Sequence, residues 1–143
     1  MKIVVTFLVL ILSTSVLSKE LKNKDETKEL SNSMAELFLK KNFQKAIDIA
    51  KPYWPLAEVE LDDIVNQIES QWPIIDQRYG KAISSEYIKT EVIEDSFVQY
   101  YYLHKFQNHA IYWKISFYKP KDIWFMNNII FLDGLDILYT EES

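Results

Sequence analysis

The sequence predicts an α+β fold, in which two or three N-terminal helices pack on a curved antiparallel sheet of about four strands. Apolar residues between positions 27 and 79 recur at three- and four-residue spacing, which is typical of amphipathic helices. After Gly80 the spacing changes to two, which is typical of strands. Because all helices precede all strands, the order favours a helical layer against an antiparallel sheet.

The helical half divides into three apolar stripes. Asn42 marks a corner between the first two helices, and Pro52 ends the second because proline lacks an amide donor. The third stripe runs from Leu61 to Tyr79. Acidic residues fill its first turns, where the helix dipole favours anions.

Two residues predict features of the third helix. Pro73 lies inside its stripe, so we expect a kink or a break near Trp72. Gly80 is placed to end the helix with a positive φ.

The strand half alternates most clearly after position 110. One face is predicted to carry Ile111, Trp113, Ile115 and Phe117. His104 is predicted to share a face with Tyr100, Tyr102 and Phe106. Asn127 and Asn128 interrupt the last long strand, so one of the two is expected to point inward and to be hydrogen-bonded, for example at a bulge.

The N-terminus has the pattern of a secretory signal peptide over residues 1–18, with one positive charge at Lys2 followed by an apolar run. Cleavage is expected after Ser15 or Ser18. The alternative, an uncleaved anchor, needs a longer apolar run than this one. We expect a flexible lead-in at 19–26 and one domain at 27–143, exported to the periplasm of a Gram-negative cell or otherwise secreted, with no stable membrane span.

Composition excludes several chemistries. The chain has no cysteine, which removes disulfides, thiolate metal sites and cysteine nucleophiles. Its two isolated glycines cannot form a phosphate loop or a dinucleotide fingerprint. A net charge of −5 makes nucleic acid a poor partner. The acidic group at 58–63 lacks the spacing of a calcium loop. We expect no metal and no cofactor.

Three segments carry a family resemblance: "LFLKKNFQKAIDIA", "WPIIDQRYGK" and "YWKISFYKPKDIWFMNNIIFLD". In their order and spacing they resemble the cystatin-like α+β architecture of the nuclear-transport-factor-2-like superfamily, in particular its small exported bacterial members. The resemblance implies helices in the concave face of the sheet and a cone with a pocket at its open end. Catalytic members use Asp–His or Tyr–Asp pairs. No such motif matches here, so no catalytic residue is carried over.

The aromatic residues of the strands define either a ligand pocket or a filled core, and the sequence leaves both open. The candidate lining residues are Trp72, Tyr100, Tyr102, His104, Trp113, Trp124 and Asn128. His104 and His109 are five apart and do not suggest a metal pair, and His109 is predicted in a turn.

These patterns favour a non-catalytic exported protein that binds a protein or a small hydrophobic molecule through its cone or sheet face. The alternative is a small hydrolase or isomerase that uses His104 with a nearby carboxylate. A third hypothesis is an envelope-assembly subunit with a constitutive partner.

A homodimer through the sheet face is a further hypothesis. At least one of Tyr100, Tyr101 and Tyr102 must face outward. Together with Tyr112 and Tyr118 it would form an aromatic patch on the outer face of the sheet, a candidate protein–protein surface.

Overall fold

The computed structural model describes residues 19–142, so the predicted signal peptide lies outside the described residues. The helices are α1 (Lys24–Leu39), α2 (Phe43–Ala50) and α3 (Glu58–Tyr79), with short 3₁₀ helices at Lys51–Tyr53 and Asp136–Leu138. The strands are β1 (Ala82–Ile93), β2 (Phe97–Phe106), β3 (Ala110–Tyr118) and β4 (Phe125–Leu132). The predicted fold class is confirmed, because the three helices precede the four-stranded antiparallel sheet and pack against it.

The sheet has the simple order β1-β2-β3-β4. Its inner face, which contacts the helices, carries alternate residues of β2 and β3, as their spacing predicted. These residues are Val98, Tyr100, Tyr102, His104 and Phe106 on β2, and Ile111, Trp113, Ile115 and Phe117 on β3. All of them are buried, so the core lies between this face and the helices.

Helix α1 begins at Lys24, before the predicted start at Thr27. Asn23 caps it, since its side chain accepts a hydrogen bond from the Glu26 amide. Leu21 is buried and forms an antiparallel bridge with Trp124. The predicted lead-in is therefore packed against the domain from Leu21 onward. The sequence pattern missed it because a single apolar residue shows no periodicity.

Helix α3 runs without interruption from Glu58 to Tyr79, so of the kink or break expected near Trp72 the break is absent. Pro73 is exposed, whereas Trp72 beside it is buried in the core. Tertiary packing on both sides of Pro73 thus keeps the helix intact although the proline removes one backbone hydrogen bond.

Gly80 ends α3 with φ 85° and ψ −154°, a conformation that is essentially restricted to glycine. The positive φ confirms the prediction from sequence. A Cβ at this position would lie 2.7 Å from Gln107 Oε1, which accepts a hydrogen bond from the Lys81 amide.

We expect Gly80→Ala to lower the free energy of unfolding by about 1–3 kcal/mol, because the new side chain strains the backbone and displaces Gln107. Urea denaturation measures this change. Gly134→Ala is the matched control, since nothing lies within 4 Å of its Cβ position. Equal losses of stability in the two variants would contradict the strained, crowded conformation assigned to Gly80.

Candidate functional site

Large rings from both layers fill the space between the helices and the inner face. The Phe38 ring of α1 stacks on Trp113 with centroids 3.9 Å apart and an interplanar angle of 12°. Trp72 of α3 lies 6.0 Å from Trp113 and 4.6 Å from Phe43. Phe131 of β4 lies 4.8 Å from Trp113. We call these five residues and His104 the aromatic core.

His104 is sealed inside the aromatic core, with 1% of its surface exposed. Its ring stacks on Phe106 at 4.5 Å, and its Nδ1 accepts a hydrogen bond of 3.1 Å from the Trp113 indole. Among residues 19–142, Nε2 has no hydrogen-bond partner. Burial lowers the pKa of His104 from 6.5 to about 4, against a smaller opposing effect of the Asp76 charge. The imidazole is therefore neutral near pH 7.

The enzyme hypothesis requires His104 to line a cavity with a carboxylate within hydrogen-bond reach. Its one hydrogen-bond partner in the described part of the chain is the Trp113 indole, and solvent does not reach the ring. This geometry does not supply the histidine–carboxylate pair that a general base needs, so it does not support the enzyme hypothesis.

The other candidate residues of the inner face are also buried. The Tyr100 hydroxyl bonds to Thr27 Oγ1 at 2.6 Å, and the Tyr102 hydroxyl donates to Asn32 Oδ1 at 2.6 Å. Both bonds tie β2 to α1. Trp124 lies away from them, at the bridge to Leu21. Six of the seven candidates thus belong to the buried layer between helices and sheet, and the structure brings Trp72, His104 and Trp113 into one cluster.

Asn128, the seventh candidate, lies on the opposite face. It pairs with Ser116, and the extra residue Asn127 forms a bulge between this pair and the pair of Phe117 with Met126. Both asparagines are exposed. The expectation that one of them points inward is wrong, because the bulge accommodates both outside the core; the bulge itself is present as suggested.

The outer face does not present the expected aromatic patch. Tyr101 lies there beside Tyr112, with ring centroids 5.7 Å apart, but Tyr101 is 0% and Tyr112 6% exposed. Lys89 covers the Tyr101 ring at 4.9 Å, and its ammonium donates to the Ile137 carbonyl at 2.7 Å. Of the predicted patch only Tyr118 is exposed, and the stem of Lys89 accounts for part of the cover over Tyr101.

A groove opens elsewhere, between the last turns of α3 and the end of β4. We call it the α3–β4 groove; its volume is 250 Å³. It is lined by Gln71, Ile74, Ile75, Arg78, Tyr79, Ile111, Phe131, Leu132 and Asp133. Ile74 is 66% and Leu132 51% exposed, so apolar side chains form part of its solvent-facing rim. An apolar cleft with a few polar groups is the usual form of a small-molecule site.

The two charged residues of the α3–β4 groove, Arg78 and Asp133, lie on its polar side. The Tyr79 hydroxyl donates to Asp133 Oδ2 at 2.6 Å; this bond lowers the pKa of Asp133 and raises that of Tyr79. Arg78 is exposed and forms no ion pair with any residue of the described range. The Asp133 carboxylate therefore accepts the Tyr79 hydroxyl. The Arg78 guanidinium lies 5.7 Å from the Tyr79 ring centroid and helps to lower the pKa of Asp133, while its hydrogen-bond donors are available to an anionic group.

None of the residues that distinguish this groove was a candidate from sequence. Ile74 stands beside Ile75 in α3, and only one of two neighbouring apolar residues can lie on the core stripe. Arg78 is the one arginine of the chain. The sequence shows both of these features, but it does not show that the end of β4 lies beside α3.

A second depression, of 410 Å³, lies on the other side of the sheet near Asn127 and Asn128. Glu91, Gln99 and Lys114 contribute polar groups to it. Glu91 accepts a hydrogen bond from Gln99, so much of this polar surface is paired within the sheet. We favour the α3–β4 groove as the site, because its charged group and its apolar rim are both available.

No helix within residues 19–142 has the length and apolar character needed to cross a membrane. The same range brings no three His, Asp or Glu side chains together as a metal site would require. Comparisons of the chain with protein-family models, with curated proteins and with solved structures found no match.

Proposed function

We propose that this chain is an exported, non-catalytic binding protein and that the α3–β4 groove holds the apolar part of a small amphiphilic ligand. The observation that carries the proposal is the exposed apolar rim of this groove beside Arg78, which has no ion pair among residues 19–142. The filled aromatic core also supports the proposal, because the packed interior leaves no room for a ligand between helices and sheet in the described part of the chain and directs binding to a surface cleft.

Export rests on the N-terminal signal pattern, and the superfamily assignment rests on the order of helices and strands; both remain part of the proposal. Cleavage after Ser18 would leave Lys19 as the first residue, so Leu21 could still dock on Trp124. The mass of the chain recovered from the medium or periplasm tests this. An intact Met1 end in the membrane fraction would contradict export.

Charge selects the head group of the ligand. Arg78 is free of ion pairs with described residues and can donate two parallel hydrogen bonds to a carboxylate. Asp133 keeps its negative charge but already accepts a hydrogen bond from Tyr79, so we choose a carboxylate over an ammonium as the head group. A short fatty acid such as octanoate combines that group with an apolar chain of suitable size for a 250 Å³ groove.

We expect octanoate to perturb the amide resonances of Ile74 and Phe131 in a two-dimensional NMR titration, and octyltrimethylammonium to bind at least severalfold more weakly. Ile74→Glu should weaken octanoate binding about tenfold or more, because it places an anion on the apolar rim. Val59→Glu is the matched control, since Val59 is 65% exposed on the same helix.

Two outcomes would refute this site. Octanoate shifts confined to residues outside the groove would place binding elsewhere. Equal losses of affinity in the Ile74 and Val59 variants would show that net charge, and not the groove, controls binding.

A further inference from the structure

Strand β4 is an edge strand without the features that usually prevent edge pairing. It pairs with β3 on one side, and Phe125–Leu132 contains no charged residue and no proline. Exposed edges in soluble proteins are commonly protected by charges, proline or bulges. The bulge at Asn127 protects the first half of β4, but the segment Asn128–Leu132 is regular and rich in β-branched and aromatic residues.

The opposite edge of the same sheet is protected. Strand β1 carries Glu86, Lys89 and Glu91. Its pairing with β2 is irregular at two places, between Ala82 and Ser84 and between Tyr87 and Lys89. Charges and irregularities of this kind disfavour pairing with another strand. The two edges of one sheet therefore differ in their readiness to accept a further strand.

The inner-face residues of β4 are less buried than their partners on β3. On β3, Trp113 and Ile115 are 0% exposed, whereas their partners Phe131 and Ile129 on β4 are only partly buried. All four residues lie on the inner face. Another strand beside β4 would complete the burial of Ile129 and Phe131, which favours pairing by the hydrophobic effect.

The backbone shows where a strand would bind. At the start of β4 the Trp124 amide points away from β3 and donates to the Leu21 carbonyl at 2.8 Å. Backbone groups alternate along a strand, and the bulge at Asn127 shifts the alternation by one residue. The outward groups of the regular segment are therefore those of Ile129 and Phe131. Within residues 19–142 they have no backbone partner outside the sheet.

We propose that two copies of this chain pair antiparallel through Asn128–Leu132, with a two-fold axis at Ile130. Ile129 of each copy faces Phe131 of the other, which gives about four backbone hydrogen bonds. The same register sets Asp133 opposite Asn127, so no like charges meet. The uncharged segment is its own complement, and its extended conformation is already formed. The dimer would join two sheets edge to edge, unlike a dimer through the sheet face.

Sedimentation equilibrium of the purified exported chain at increasing concentration is the test. We expect a dimer, and we expect Ile130→Lys to raise its dissociation constant at least about tenfold, because two lysines then face each other across the axis. Val92→Lys is the matched control on the β1 edge, where Val92 is 54% exposed. This variant should dimerise like the parent chain.

Charge exchange separates an edge contact from simple misfolding. Ile130→Lys and Ile130→Glu should each be monomeric, and an equimolar mixture should form a heterodimer because opposite charges then meet at the axis. A parent chain that stays monomeric at high micromolar concentration would overturn the proposal. A dimer that survives Ile130→Lys but is lost on Tyr118→Ala would overturn it in favour of the sheet face. Phe131 and Leu132 line the α3–β4 groove and also lie in the proposed dimer segment, so octanoate binding is measured on the monomeric Ile130→Lys chain.

Discussion

Trp113→Ala is expected to lower the free energy of unfolding by about 3–5 kcal/mol, the range typical of large aromatic residues removed from a core. Trp113 is 0% exposed, stacks on Phe38 at 3.9 Å and contacts Phe131 at 4.8 Å. Its loss also leaves His104 Nδ1 without its donor, which adds the cost of a buried unpaired acceptor. Guanidinium denaturation followed by circular dichroism measures the change.

Two control variants accompany Trp113→Ala, one at the same position and one at an exposed site. Trp113→Phe keeps a ring against Phe38 and removes the indole donor, so it should cost less than the alanine variant. Tyr139→Ala should leave stability unchanged, since Tyr139 is 79% exposed. A loss below about 1 kcal/mol in Trp113→Ala would show that the ring does not lie in a filled core.

Acid is expected to destabilise the protein through His104. The folded-state pKa of His104 is about 4 and its ordinary value is 6.5, because burial disfavours the imidazolium. As the pH falls from 6.5 toward 4, the unfolded chain therefore binds a proton that the folded chain does not. The contribution of His104 to stability is complete above pH 6.5, and about 3 kcal/mol of it is lost by pH 4.

His104→Phe tests this effect, because it removes the titrating group and keeps a ring beside Phe106. Stability measured by urea denaturation between pH 7.5 and 4.5 should depend less on pH in this variant than in the parent chain. His109→Phe is the control, since His109 is exposed in the turn between β2 and β3. A parent and a His104 variant with the same pH dependence would contradict the buried neutral imidazole.

Much of the sheet could be predicted because its pattern is local. Alternation alone placed Ile111, Trp113, Ile115 and Phe117 on one face and assigned His104 to the same side as Tyr100. A glycine after the last apolar residue of the α3 stripe predicted the positive φ of Gly80, since few other residues adopt that conformation. Such features can be predicted because they depend on the residue itself and its near neighbours in the sequence.

The candidate site could not be predicted to the same degree, because it depends on how elements meet. Spacing cannot show that Phe38 of α1 reaches Trp113 and fills the interior, nor that Lys89 covers Tyr101 on the outer face. The α3–β4 groove exists because the last turn of α3 ends near Asp133, far along the chain. Such contacts join residues of different elements and leave no periodic signal in the sequence.

Two positions show local rules overridden by packing. Pro73 predicts a kink or a break, yet α3 continues unbroken because Trp72 before it and Tyr79 after it are buried in the core. The bulge at Asn127 removed the expected inward asparagine. In both places the free energy of the buried layer exceeds the local backbone preference.

The central claim is that the helices and the inner face of the sheet share one filled aromatic core. Nuclear Overhauser effects between the Phe38 ring and the Trp113 indole, and between Trp72 and His104, test it most directly. We expect strong cross-peaks for both pairs, whose centroids lie 3.9 Å and 5.5 Å apart. Absence of both, with the Trp113 indole proton exchanging rapidly with solvent, would contradict a filled core and restore the open cone.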